Sequence, residues 1–157
     1  MKRIFSVVAF FSILLVQHVF AQDSSAARTQ PVLNNYYAIK DALVNSNPAA
    51  AAASAAGFIK ALNVTDDQAV KKDIRIMLLS DAVDISRSHD IQTQREKFTS
   101  LSDNMVSLAK LSRLSASPVY QQYCPMKKAS WLSSSKAIKN PYYGNAMLTC
   151  GSLKETL

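Results

Sequence analysis

The segment from Ile91 to about Ser115 carries the most regular heptad pattern in the chain. Apolar side chains recur along it at the three- and four-residue spacing of a buried helix face. Ser117-Pro118 ends the segment, because proline disfavours helical backbone in the residue before it. The apolar positions are Ile91, Phe98, Leu101, Met105 and Leu108, and the positions assigned to the polar faces are Gln92, Arg95, Glu96, Asp103 and Lys110.

Three more helices are predicted upstream. The first begins near Pro31 and ends at Ser46-Asn47-Pro48, where Asn47 caps the next helix and Pro48 takes its first position. The second is the alanine-rich segment 49–62, and the third runs from 66 to 87 behind the capping-box pattern Thr65-Asp66-Asp67-Gln68.

Four helices joined by short turns predict an all-α fold with neighbouring helices antiparallel. We expect one domain over residues 31–157, consisting of a four-helix bundle at 31–117 and an irregular C-terminal segment, 118–157, packed on the bundle.

The N-terminus has the pattern of a secretory signal peptide. Lys2 and Arg3 precede an apolar run from Ile4 to Val16, and Val19-Phe20-Ala21 resembles a cleavage site. The run is about thirteen residues, shorter than the roughly 20 that span a bilayer. We therefore expect a signal peptide at residues 1–21, a flexible tail at 22–30, a periplasmic location and no stable membrane insertion after cleavage.

The formal charge of +7 falls to +5 when the two cations of the leader are removed. That charge is spread over all the predicted helices and does not form one basic face. Together with export, this excludes nucleic acid as an expected partner.

Both cysteines lie in the C-terminal segment, in two short sulfur-bearing motifs. In Cys124-Pro125-Met126 the proline favours extended backbone, in which alternate side chains point to the same side. In Met147-Leu148-Thr149-Cys150-Gly151 the two sulfur residues are three apart and share a face in a turn, which Gly151 permits.

Three interpretations of these four sulfurs remain open: a soft-metal site, a structural disulfide, and free unpaired thiols, the last of which includes a thiol enzyme with a single reactive cysteine. Two thiols and two thioethers form a soft ligand set that selects Cu(I), with Cys124, Met126, Met147 and Cys150 as ligands. His89 is an additional ligand if its turn lies against the C-terminal segment. Alternatively, Cys124 and Cys150 form a structural disulfide in an exported interaction module that holds no metal. A reducible cysteine pair combines the metal-site and disulfide interpretations, because it binds metal only in its thiol state.

Catalytic motifs give little support to an enzyme. The sequence has neither two cysteines separated by two residues at a helix start nor a Gly-x-Ser-x-Gly motif, and its three glycines form no phosphate loop. We expect no enzymatic activity.

Five short motifs occur together in the second half of the chain: Gln94-Arg95-Glu96-Lys97-Phe98, Tyr123-Cys124-Pro125-Met126, Trp131-Leu132-Ser133, Asn140-Pro141-Tyr142-Tyr143-Gly144 and Met147-Leu148-Thr149-Cys150-Gly151. Their combination resembles an uncharacterised family of bacterial exported domains. That family is similar to the domain appended to periplasmic adaptor subunits of heavy-metal efflux pumps. The resemblance implies a periplasmic helical domain with a metal-linked role and efflux components as partners, and it assigns no activity. The four sulfur residues correspond to the sulfur motifs of the family.

Overall fold

The computed structural model describes the backbone of residues 17–157 and the side chains of residues 26–157. Within that range the chain forms four α-helices followed by a three-stranded antiparallel sheet. The helices are α1 (Gln17–Val44), α2 (Pro48–Val64), α3 (Lys72–Arg87) and α4 (Ile91–Leu111); the strands are β1 (Tyr120–Cys124), β2 (Ala129–Ser133) and β3 (Ser152–Thr156), with a short 3₁₀ helix (Gly144–Met147) before β3.

The first sixteen residues, which hold most of the predicted signal peptide, lie outside the described residues. Among residues 17–157, none of the helices combines the length and the apolar character that a bilayer span requires.

The helical bundle is confirmed. Each helix packs against the next one in the chain, and α4 also packs against β2. The predicted apolar face of α4 is buried, with Phe98, Leu101, Met105 and Leu108 in the core and Ile91 at its margin. Burying several side chains of this size provides most of the free energy that holds such a bundle together, about 1.5 to 3 kcal/mol for each.

The connection between α1 and α2 has the predicted cap. The Asn47 side chain accepts a hydrogen bond from the Ala50 amide at 3.0 Å, and Pro48 is the first residue of α2. The predicted capping box at Thr65 was wrong, because the Thr65 hydroxyl donates to the Ala61 carbonyl and ends α2. The residues that follow form a turn, and α3 begins only at Lys72.

The predicted flexible tail at residues 22–30 requires correction, because these residues belong to α1. The helix continues through Pro31. Ala26 is buried, and the Thr29 hydroxyl donates to the Leu114 carbonyl at 3.1 Å. Residues 22–30 are therefore helical although their apolar periodicity is weak. Their helical structure is accompanied by contacts with the segment after α4, which a local sequence pattern does not reveal.

The all-α prediction was wrong for the C-terminal segment, which holds an antiparallel sheet in the order β2-β1-β3. Tyr123 of the central strand pairs with Ser130 of β2 and with Ser152 of β3. Because β2 is buried at every position, it lacks the alternation that identifies a half-exposed strand.

A buried joint fixes the sheet on the bundle. The Tyr36 hydroxyl of α1 lies 2.8 Å from the Ser102 hydroxyl of α4 and accepts a hydrogen bond from the Leu132 amide of β2 at 3.0 Å. The Tyr36 ring stacks on Phe98, with centroids 5.2 Å apart. Burial raises the pKa of Tyr36, so the hydroxyl stays protonated and neutral within the core.

Candidate functional site

The two cysteines meet at one end of the sheet. Cys124 is the last residue of β1, and Cys150 lies two residues before β3, the strand that pairs with β1. Their Sγ atoms are 3.9 Å apart, and both thiols are free. A disulfide bond is about 2.05 Å long, so the two sulfurs are in contact but not bonded. Cys124 is fully buried and Cys150 is partly exposed.

Asn140 shapes the loop that carries Cys150. Its side-chain amide donates to the Cys150 carbonyl at 2.8 Å, and its backbone amide donates to the Leu148 carbonyl at 2.8 Å. Its side-chain oxygen accepts from the Tyr142 amide at 2.9 Å. The two carbonyl partners lie eight and ten residues further along the chain, so the local motif around Asn140-Pro141 gives no sign of these contacts.

Gly151 allows the backbone next to Cys150 to pass close to Trp131 and Tyr123. It has φ +151°, and a Cβ placed there would lie 2.9 Å from Cη2 of Trp131 and 3.0 Å from the Tyr123 carbonyl oxygen. Trp131 is fully buried and meets the Tyr142 ring edge-on, with centroids 5.9 Å apart. The tight backbone predicted at Gly151 is therefore present, and it lies against the aromatic pair of Trp131 and Tyr142.

The two predicted methionine ligands lie at the surface. Met126 is 63 % exposed in the β1–β2 turn, and Met147 is 40 % exposed at the end of the 3₁₀ helix. The Met147 carbonyl accepts from the Cys150 amide at 3.1 Å, so the Met147 backbone is fixed to that of Cys150 while its side chain is partly exposed to solvent. Of the four sulfurs, the structure brings only the two thiols into contact.

His89 is exposed in the turn between α3 and α4. The neighbouring Asp90 caps α4 by accepting from the Thr93 amide at 2.7 Å. Among the described residues, His, Cys, Asp and Glu side chains form no group of three or more that could hold a metal ion. A metal at the thiol pair would therefore have to take its further ligands from thioethers or from another molecule.

The two thiols have different surroundings. Burial, followed by the neighbouring Cys124 thiol, raises the pKa of Cys150, so this thiol is protonated at neutral pH. The Lys127 amide lies 3.5 Å from Cys124 Sγ and donates to it, so the turn between β1 and β2 contacts the buried sulfur.

Arg95 fastens the loop of the site to the bundle. Its Nε donates to the Pro141 carbonyl at 3.0 Å, and its Nη2 donates to the Leu43 carbonyl at 3.1 Å and to the Ser46 hydroxyl at 3.0 Å. Arg95 was predicted to lie on a polar face of α4, but it is four residues after Ile91 and three before Phe98. A charged residue at an apolar-face position was the signal that could have identified its buried role.

A model of a family described as a protein of unknown function matches residues 32–117, which include α2, α3, α4 and the C-terminal part of α1. The matched range ends before the first cysteine. No curated protein and no solved structure matches the chain.

Proposed function

The chain belongs to the family described as protein of unknown function DUF3347, and because that description assigns no activity, we propose a function from the geometry of the thiol pair. The protein is a periplasmic module that binds a soft metal ion of the Cu(I) type through Cys124 and Cys150 and then passes it on. The observation that carries this proposal is the 3.9 Å separation of two free thiols, one at the end of β1 and the other just before β3, the strand that pairs with β1.

The separation of the sulfurs suits a shared ion. Metal–thiolate bonds of about 2.3 Å, as zinc makes, would meet over a 3.9 Å gap at an angle of about 116°. That angle lies between tetrahedral and trigonal geometry, so one or two further ligands complete the shell. Met126 and Met147 are the nearest soft ligands along the chain, and their flexible thioethers can turn toward Cys150.

Exposure around the pair favours transfer over permanent storage. Cys150 is partly exposed and both methionines reach solvent, so an ion can enter and leave without unfolding the sheet. A binding role also fits better than a catalytic one, because no general base lies beside the thiols among the described residues. We propose components of heavy-metal efflux as the partners that supply or receive the ion.

We expect the apparent Cu(I) affinity of the reduced protein to rise with pH. The raised pKa of Cys150 keeps its thiol protonated at neutral pH, and metal binding must displace that proton. Displacement of the Cys150 proton alone should increase the affinity about tenfold per pH unit below this pKa, and this contribution levels off above it. Competition against a chelator of known proton affinity measures the slope, and a pH-independent affinity would contradict binding at Cys150.

A disulfide-stapled interaction module is the second candidate, and the burial of Cys124 favours it. The cysteines are 26 residues apart in sequence, so closing their loop would stabilise the fold by about 3 to 4 kcal/mol. The sulfurs need to approach each other by only about 2 Å to reach bonding distance.

We expect oxidation of the purified protein to raise its Tm by roughly 10 °C, given that gain and the size of the domain. Thermal unfolding with and without reductant measures the shift. Intact mass after alkylation shows which form the periplasm contains. Free thiols in freshly isolated protein, with no change in Tm on adding reductant, would rule out the staple.

A further inference from the structure

A small polar cavity of about 240 Å³ lies between the start of α4 and the loops that carry the thiol pair. It is smaller than the roughly 300 to 1,000 Å³ of sites for drug-sized ligands, so it suits a molecule of few heavy atoms. Its walls come from α4, from the β1–β2 turn and from the segment before the 3₁₀ helix, and its principal lining residues are Gln92, Arg95, Glu96, Lys127, Tyr142 and Tyr143.

Arg95 brings a buried positive charge to this cavity. The residue is only 7 % exposed, and the acceptors of its three hydrogen bonds are neutral. Among the described residues, Arg95 Nη1 makes no hydrogen bond, and no carboxylate lies within ion-pair distance of the guanidinium. A buried cation without an anion is costly, and a carboxylate entering the cavity would relieve that cost.

The cavity also contains one further cation and one acid. Lys127 is partly buried, Glu96 is exposed, and within the described part of the chain neither side chain takes part in an ion pair. Glu96 repels a simple carboxylate, whereas Arg95 and Lys127 repel a simple amine. A molecule that carries both charges satisfies all three groups.

We propose that the cavity binds a small α-amino acid as its zwitterion. The carboxylate contacts Arg95 Nη1 and the Lys127 ammonium group, and the amino group of the ligand contacts the Glu96 carboxylate. The side chain of the ligand packs on the aromatic wall formed by Tyr142 and Tyr143, which restricts it to a few atoms. This site is independent of the metal proposal, although the Lys127 amide links it to Cys124.

Three small molecules test the charge pattern: alanine, propionate, which is alanine without its ammonium group, and ethylamine, which is alanine without its carboxylate. Titrating the reduced, metal-free protein by calorimetry should show saturable binding of alanine. Propionate and ethylamine should bind at least about tenfold more weakly, because propionate lacks the charge-assisted hydrogen bond to Glu96 and ethylamine lacks those to Arg95 and Lys127. Glycine and serine extend the series to neighbouring ligand sizes.

Two variants assign the contacts. Glu96→Gln should weaken alanine and strengthen propionate until their affinities are about equal, and Lys127→Ala should weaken both carboxylates. Lys60→Ala removes the same charge from an exposed position on α2 and should leave binding unchanged. If the folded protein binds none of the three amino acids, or if Glu96→Gln leaves the preference for alanine intact, the proposal is overturned. Cu(I) binding to the same samples is measured separately, so failure of one proposal leaves the other standing.

Discussion

Replacing Cys124 and Cys150 together by serine is expected to lower the Cu(I) affinity of the reduced protein by about 10⁴-fold. Four-ligand thiolate and imidazole sites bind zinc with roughly 10 to 16 kcal/mol, which corresponds to on the order of 100-fold in affinity per ligand. Serine keeps the shape of the side chain but offers a hard, protonated oxygen in place of a soft thiolate. Competition with a Cu(I) chelator under reducing conditions measures the loss.

The methionines distinguish a shared sulfur site from a simple dithiol. Met126→Leu and Met147→Leu should each weaken Cu(I) binding by about tenfold, because a neutral thioether contributes less than a thiolate. Met77→Leu is the matched control, since Met77 is 46 % exposed on α3, away from the sulfur motifs. An unchanged affinity in the double serine variant would assign the bound ion to another part of the chain and end the metal proposal for the thiol pair.

The helices were predictable because their signals are local. The heptad beginning at Ile91 describes the buried face of α4, and Asn47 with Pro48 marks the start of α2 within a few residues. The errors at helix ends arose where distant contacts decide the structure. Arg75 of α3 donates to the carbonyls of Leu62 and Thr65, and these bonds join the end of α2 to α3. They cross the turn after Thr65, which was predicted to be the start of the third helix.

The sheet was not predictable by the same reasoning. Its strands are five residues long, and the β1–β2 turn places Lys128 at φ +56°, where glycine or asparagine is the usual signal. The pairing of β1 with β3 joins residues about thirty positions apart, such as Tyr123 and Ser152. No periodicity within a short window reports such a pairing.

The pairing of β1 with β3 also explains why the relative positions of the four sulfurs were only partly predictable from the sequence. Met126 was predicted to point to the same side as Cys124 because extended backbone was expected through both residues. In the structure β1 ends at Cys124, and Met126 lies in the turn that follows. The contact between the thiols depends instead on the alignment of β1 with β3. Two cysteines were recognisable as partners from their number alone, whereas the positions of the methionines required the register of the sheet.

Gly144→Val is expected to lower the free energy of unfolding by about 4 kcal/mol. Gly144 has φ +56°, which costs an L-residue about 1 to 2 kcal/mol and a β-branched one more. A Cβ there would lie 2.7 Å from Arg95 Nη2 and 2.9 Å from the Val44 carbonyl oxygen, and overpacking adds about 1 to 3 kcal/mol. Urea unfolding of the reduced protein measures the change, which is a large share of the 5 to 15 kcal/mol typical of a domain.

Gly57→Ala provides the contrast that isolates this cause. Gly57 lies within α2, where alanine gains about 1 kcal/mol of helix propensity, and its new methyl group would meet only the end of the Asn35 side chain. Asn35 can rotate away at the cost of its hydrogen bond to the Pro31 carbonyl, so the net change should stay within about 1 kcal/mol. Equal losses in the two variants would show that Arg95 and its carbonyl partners tolerate displacement. In that case the loop before Cys150 is not held to the bundle at Gly144.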